Sequence, residues 1–361
     1  MVTSARMKQW IALAMAVASV PVLMSAQQAG YPQTIIPPGK GPFTFPAGYV
    51  TPWEKVEILV KEKLSPNLFV LHGSEGVDTA HPDGSGGRAL ALFGPDGVLM
   101  VDAQNRQITD KTLATLRSFT TGPIRIMVNT HVHSDHTGGN AFFAKQGALI
   151  YAQENLRDEM LRQPPRANGQ PAPPLDPAGM PLVTYNYDPA APGRPAVTFH
   201  MNGETVDFIP MMPSHTAGDT IVRFRNANVI YIEDFYRNFG YPFADQSNGG
   251  SIRGMLDATD LIMTLAAPDT TLVPGHGTLM RKNELLPYRA MLVDILAKVK
   301  TLRDQGKTLK DVLAANLTAP YDKTTLGDTQ QSTDRFITEV FDEVKDFPPV
   351  VDGKRTMPSH P

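Results

Sequence analysis

The chain has 361 residues, 42% of them hydrophobic and 19% charged, with nine histidines, no cysteine and a formal net charge of −3. That length supports one large domain or two modest ones. Without cysteine there can be no disulfide, thiolate nucleophile, iron–sulfur cluster or Cys-containing zinc site, and the slightly acidic charge leaves no footprint for nucleic acid. Any metal must rest on imidazole and carboxylate.

Residues 1–26 read as a secretory signal. Arg6 and Lys8 form a basic start, Trp10 to Met24 is apolar, and the small pair Ser25-Ala26 precedes the cleavage point. The apolar run is too short for a comfortable membrane span. The expected location is therefore periplasmic or secreted, with no stable membrane association after signal cleavage. Residues 27–66 form an N-terminal arm, rich in Pro and Gly up to about residue 52, with a short helix over Trp53–Leu64.

The main domain is expected over 67–302. Its first strands are Asn67–His72 and Ala89–Phe93, with the Gly-rich loop 73–88 between them. The turn Gly94-Pro95-Asp96-Gly97 then makes a hairpin into Val98–Asp102. A helix over Ile108–Phe119, a strand over Ile124–Asn129, a short helix and a strand over Ala148–Tyr151 follow. Ten prolines in the 34 residues 162–195 mark an insertion or rigid connector. Strands resume at Val197–His200, Val206–Pro210, Thr220–Phe224 and Val229–Ile232. A helix over Ser251–Leu265, a strand over Thr271–Val273 and a long helix over Glu284–Leu302 complete the domain. A C-terminal helical extension occupies 303–361, with weaker helical signals at 308–315 and 334–344. Each half of the domain runs strands first and helices after.

One stretch dominates the chemistry: Thr130-His131-Val132-His133-Ser134-Asp135-His136-Thr137-Gly138-Gly139-Asn140, directly after an apolar strand. His131 and His133 would diverge on a helix but share one face of an extended segment. Neutral imidazole suits zinc, and carboxylate oxygen complements it. His215, in Ser-His-Thr-Ala-Gly-Asp, and His276, in Pro-Gly-His-Gly, occupy similar places after strands. Asp234 ends a strand and is the natural carboxylate to bridge two metals. Glu233 competes for that role, although strand alternation sends the two side chains to opposite sides.

Asp102, at another strand end, suits an outer hydrogen-bond partner of a ligand histidine. Tyr236 could assist an oxyanion but reads more simply as packing in the pair Phe235-Tyr236. His72 and His81 read as surface histidines, and His200 and His360 have no chemical company. Arg223 and Arg225 read as a solvated strand face.

These motifs, in this order over residues 67–300, resemble those of the metallo-β-lactamase-fold hydrolases. The resemblance implies an α/β fold, a four-layered αββα sandwich with metals at the edges of two facing sheets. It assigns His131, His133 and His215 to one zinc and Asp135, His136 and His276 to a second, with Asp234 bridging. The cofactor expected is two Zn2+, with iron or manganese as alternatives in the same scaffold. The bridging Asp234 is more like the glyoxalase II and acyl-homoserine lactonase branches than the all-His lactamases, and the absence of cysteine excludes the cysteine-bearing ones.

The activity implied is hydrolysis of a small-molecule ester, lactone or amide, a β-lactam included, by a hydroxide generated at the metals. Asp135 and Asp234 are its catalytic carboxylates. Two other readings are a mono-iron oxidoreductase similar to persulfide dioxygenases and a periplasmic metal-dependent binding or relay protein without turnover.

Overall fold

The computed structural model describes residues 52–73, 86–162, 175–236, 240–323 and 330–346. The signal segment, most of the N-terminal arm, His81, residues 163–174 and His360 lie outside the described residues.

The first sheet contains β1 (Ile58–Ser65), β2 (Leu68–Gly73), β3 (Ala89–Gly94), β4 (Gly97–Val101), β5 (Ile124–Val128), β6 (Leu149–Gln153) and β7 (Val183–Tyr185), paired in that order. Pairing is antiparallel from β1 to β4 and parallel from β4 to β7. The second sheet contains β8 (Val197–Met201), β9 (Glu204–Pro210), β10 (Thr220–Phe224), β11 (Val229–Glu233), β12 (Thr271–Pro274) and β13 (Met280–Arg281). They are paired consecutively, and only β11 and β12 run parallel.

Strand alternation builds the layers. Leu68, Val70, Leu99 and Val101 of the first sheet meet Val222, Phe224, Val229 and Tyr231 of the second in one buried core. The intervening residues face outward. Leu71, Val98 and Met100 pack under α1 (Thr109–Arg117) and α3 (Asn140–Lys145). Ile221, Ile230 and Ile232 pack under α5 (Ile252–Leu265), α6 (Leu285–Asp304), α7 (Leu309–Ala314) and α8 (Gln330–Glu343). The result is the αββα sandwich.

Three expectations change. Only Trp53–Lys55 is helical, as one 3-10 turn, and from Ile58 onward the helix expected over Trp53–Leu64 is β1. β2 is buried along its whole length, and its open backbone edge takes up Ile58–Ser65 despite their helix-forming composition. The fold therefore begins inside the segment assigned to the arm, ahead of residue 67. The Pro-rich stretch also contributes a core element: β7 pairs with β6 and buries Tyr185 between the sheets. His72 is only 1% exposed, with Nδ1 2.8 Å from Gly73 O, so it is not a surface histidine.

Candidate metal centre

The chain leaves the sheets at one edge of the sandwich, at the C-terminal ends of β4, β5, β9, β11 and β12. His131 follows β5 in a bend, and His133, in extended backbone, precedes α2 (Ser134–Thr137), a single turn carrying Asp135 and His136. That turn is seated by Gly138 and Gly139, where a Cβ would collide with Ser134 O, Arg106 N and Ala103 O. His215 lies in the loop after β9. Asp219 ties this loop by accepting from His215 N (2.7 Å), Thr216 N (3.0 Å) and Ser214 Oγ (2.5 Å). Asp234 follows β11, and His276 follows β12.

All seven residues converge. His215 Nε2 is 3.0 Å from His133 Nδ1, and His276 Nε2 is 3.0 Å from both Asp135 Oδ2 and Asp234 Oδ2. His136 Nε2 lies 3.4 Å from Asp234 Oδ1 and 3.4 Å from His276 Nε2. Asp234 Oδ2 stands 3.9 Å from His131 Nε2 and from His215 Nε2, between the two groups of imidazoles. Three sets have donor atoms close enough to share an ion: His131, His133 and His215; Asp135, His136 and His276; and His131, His136 and Asp234.

Outer contacts fix the rings. Asp102 Oδ2 accepts from His136 Nδ1 (2.7 Å), Thr130 Oγ1 (2.7 Å) and Tyr231 Oη (3.2 Å), while its Oδ1 accepts from Thr130 N (2.8 Å). This is the outer role expected of Asp102. His215 Nδ1 is 2.8 Å from Phe243 O, and His133 Nε2 is 2.8 Å from Asp245 Oδ2.

Glu233 is buried at φ +46, and this left-handed turn cancels the alternation that would have sent its side chain away. Its carboxylate folds back onto Asp234 N (2.7 Å) and Phe235 N (3.1 Å) and lies 3.4 Å behind His131 Nδ1. It shapes the turn from outside the cluster. Tyr236 packs edge-on against Tyr288, as the packing reading required.

The charges are strongly coupled. Burial opposes charge on His136, yet Asp234, Asp135 and Asp102 outweigh it and raise its pKa to about 10. Burial lowers His131 well below the usual histidine range, and the His136 cation adds to this. Burial would raise Asp135 and Asp234. His136 and His276 outweigh it, and both carboxyls stay well below the ordinary range. The site thus keeps its carboxylates ionised and attracts positive charge.

The family model described as "Metallo-beta-lactamase superfamily" matches residues 83–276, more than half of the chain. The chain belongs to the metallo-beta-lactamase superfamily. A metallo-beta-lactamase from Pontibacter korlensis aligns with a TM-score of 0.52 at 17% identity, covering 66% of this chain and 100% of that one. A stereoselective inverting sec-alkylsulfatase from Pseudomonas sp. aligns with a TM-score of 0.60 at 13% identity, covering 79% of this chain and 50% of that one. These likenesses show the fold. A linear primary-alkylsulfatase from Pseudomonas sp. (strain ATCC 19151) is 37% identical over 76 residues, 19% of this chain but only 14% of that protein.

Within this superfamily fold, three contributors escaped the sequence reading. Asp245 stands in a polar loop with no histidine beside it. Gly87, in the Gly-rich loop, donates its N–H to Asp135 Oδ2 (3.1 Å), and a Cβ there would collide with the His136 ring. Tyr231 looks like an ordinary strand tyrosine, yet its hydroxyl shares its one proton between Arg88 O (3.1 Å) and Asp102 Oδ2 (3.2 Å). The Gly-Gly-Arg run was the one available signal, since adjacent glycines permit close backbone approach.

Proposed function

We propose that this chain is an exported metal-dependent hydrolase that holds two divalent ions, zinc foremost, and cleaves a small ester, lactone or amide. The observation that carries this reading is His131 Nε2, which is buried without a hydrogen-bond partner among six other converging metal-type donors. A buried nitrogen in that state is costly unless a cation completes it. Asp234 Oδ1 is in the same condition. Imidazole and carboxylate, with no thiolate, form a donor set suited to zinc and compatible with iron or manganese. His131, His133 and His215 would hold one ion, Asp135, His136 and His276 the other, and Asp234 both.

Bound by these residues, zinc would supply a coordinated water with its pKa lowered to about 7 and a Lewis acid for a scissile carbonyl. The protein's own groups do the rest. Asp102 and Asp245 hold imidazole N–H groups away from the centre, so that the inner nitrogens of His133 and, once a metal displaces its second proton, of His136 would face the ion as donors. Asp135 keeps 26% of its side-chain surface exposed and is steadied by Gly87 N, so it can orient an attacking water. Asp234, 7% exposed, has no such access and serves as the shared anchor.

The likeness to alkylsulfatases favours sulfate esters as an additional substrate class. Export is supported by the basic, apolar and small-residue pattern of residues 1–26. Among the described residues no helix is long and apolar enough to cross a membrane.

The test is metal quantification followed by a panel of nitrocefin, homoserine lactones, aryl esters, thioesters and alkyl sulfates. Two zinc ions per chain with turnover of one class is the expected result. One iron with oxygen consumption would overturn it in favour of an oxidoreductase. Two zinc ions without turnover would leave a binding protein.

A further inference from the structure

The loop 240–250 touches two of the candidate ligands from outside. It accepts from His215 Nδ1 through Phe243 O (2.8 Å) and from His133 Nε2 through Asp245 Oδ2 (2.8 Å). These contacts choose the tautomers. His133 carries its proton on Nε2 and offers Nδ1 inward, whereas His215 carries its proton on Nδ1 and offers Nε2 inward. The two inner nitrogens stand 3.0 Å apart, close enough to share a proton in the metal-free protein or to meet at one ion.

Asp245 is itself immobilised. Its Oδ1 accepts from Ser247 N (3.1 Å) and Ser247 Oγ (2.5 Å), its Oδ2 accepts from Asn248 Nδ2 (2.8 Å), and its N–H donates to His215 O (2.8 Å).

What holds this loop is α8, which lies outside the 83–276 family match. Arg335 Nη2 donates to Tyr241 O and Pro242 O (3.1 Å each), and its guanidinium covers the Phe243 ring at 4.6 Å. Glu339 Oε2 accepts from Ala244 N (3.1 Å), and Glu339 O accepts from Gln246 Nε2 (3.1 Å). Arg335 Nε and Glu339 Oε1 pair at 3.2 Å, joining the two grips. Tyr241 stacks on Phe336 at 5.6 Å with 7° between the planes. The segment 241–246 is thus gripped along its length by one face of α8, at the spacing i, i+1 and i+4.

We propose that Asp245 and the Arg335–Glu339 pair of α8 are positioning residues for one of the two metal positions, the one formed by His131, His133 and His215. This rests on the metal reading given above. None of the three residues needs to touch the ion. Asp245 fixes the donor nitrogen of His133 directly, and α8 fixes the loop on which Asp245 and the Phe243 carbonyl sit. The other position does not depend on α8, because His136 is held by Asp102 and Asp135 by Gly87.

The experiment uses the full chain and zinc alone. Zinc content and affinity are measured by chelator competition on wild type, Asp245→Ala, Asp245→Asn and Glu339→Ala. Ring tautomers are read by nitrogen NMR on the metal-free proteins. Asp245→Ala should weaken one zinc 10- to 100-fold, leave the other within about twofold, and release His133 from its single tautomer. Asp245→Asn keeps an oxygen acceptor for His133 Nε2 and should restore most of the affinity. Glu339→Ala touches no ligand and should weaken the same zinc several-fold; Arg335→Lys, which keeps the charge without the fork, gives the second measurement if Glu339→Ala does not fold. Equal loss of both ions, or two unchanged affinities in Asp245→Ala, would overturn the proposal and leave the metal reading standing. A wild-type chain that binds no zinc would overturn both.

Discussion

Asp102 is the most constrained residue of the centre, and Asp102→Ala is the sharpest perturbation of it. Asp102 is fully buried at φ 62 and accepts four hydrogen bonds, from Thr130 N, Thr130 Oγ1, His136 Nδ1 and Tyr231 Oη. Alanine leaves the Thr130 amide buried without an acceptor, which costs about 1–3 kcal/mol. The metal-free protein should therefore lose about 1–3 kcal/mol of stability, visible as an earlier midpoint in urea. Separately, His136 loses the acceptor that keeps its proton on Nδ1. Loss of such a partner typically costs 10- to 100-fold in metal affinity, or about 1.4–2.7 kcal/mol. Zinc competition should show the larger loss at the position that includes His136. An Asp102→Ala protein with two zinc ions at wild-type affinity would refute the assignment of Asp102 as the partner of a ligand. An unchanged urea midpoint would refute the hydrogen-bond accounting.

Gly87→Ala drives a methyl into the His136 ring and should cost one zinc per chain together with about 1–3 kcal/mol, measured by metal analysis and urea unfolding. Tyr231→Phe removes one donor to Asp102 and should cost only about 0.5–1.5 kcal/mol with zinc content intact, so a loss of zinc would show that the hydroxyl does more than support. In metal-free protein His136 has its pKa raised from 6.5 to about 10, so it binds a proton more tightly when folded. Its contribution is full below about pH 6.5 and lost as pH rises toward 10. Asp135 and Asp234 have depressed pKa values, so their contribution is present above the ordinary Asp range and lost as pH falls through it. Unfolding of chelator-treated protein across pH should fall at both ends, and a flat profile from pH 6.5 to 10 would contradict the His136 assignment.

The ligands were legible because their signal is local. Imidazoles two residues apart after an apolar strand restrict what His131 and His133 can do, and strand-end placement singled out His215, Asp234 and His276. Strand alternation likewise exposed the two-sheet core. What stayed hidden was non-local. β1 has helix-forming composition, and only the open edge of β2 makes it a strand. β7 is three residues long in a Pro-rich stretch, below the length at which periodicity speaks. Glu233 defied alternation because one positive φ turns the chain back, and no pattern of residue types announces that turn. Asp245 and α8 are separated from His133 by 112 and about 200 residues, so their relation to it exists only once the chain has folded.

That division of labour implies a difference between the two proposed metal positions. His136 and its partner Asp102 are fully buried and tied to Tyr231, a strand residue of the inter-sheet core. His133 keeps 23% of its side chain exposed and leans on a loop carried by a helix from the end of the chain. The charges are divided in the same way. Asp135 and Asp234 both face His276 at 3.0 Å, while the set of His131, His133 and His215 contains no carboxylate of its own and shares only Asp234, at 3.9 Å. Burial strengthens each carboxylate–cation interaction, and two ionised carboxylates attract a divalent ion more than one. The Asp135–His136–His276 position should therefore fill first in a zinc titration, and the position beside His133 second. Spectra of a cobalt-substituted protein at one equivalent should then report the carboxylate-bearing set, with Asp135→Asn abolishing that first step. If the first equivalent instead survives Asp135→Asn and disappears in His133→Ala, burial and charge do not set the order of filling.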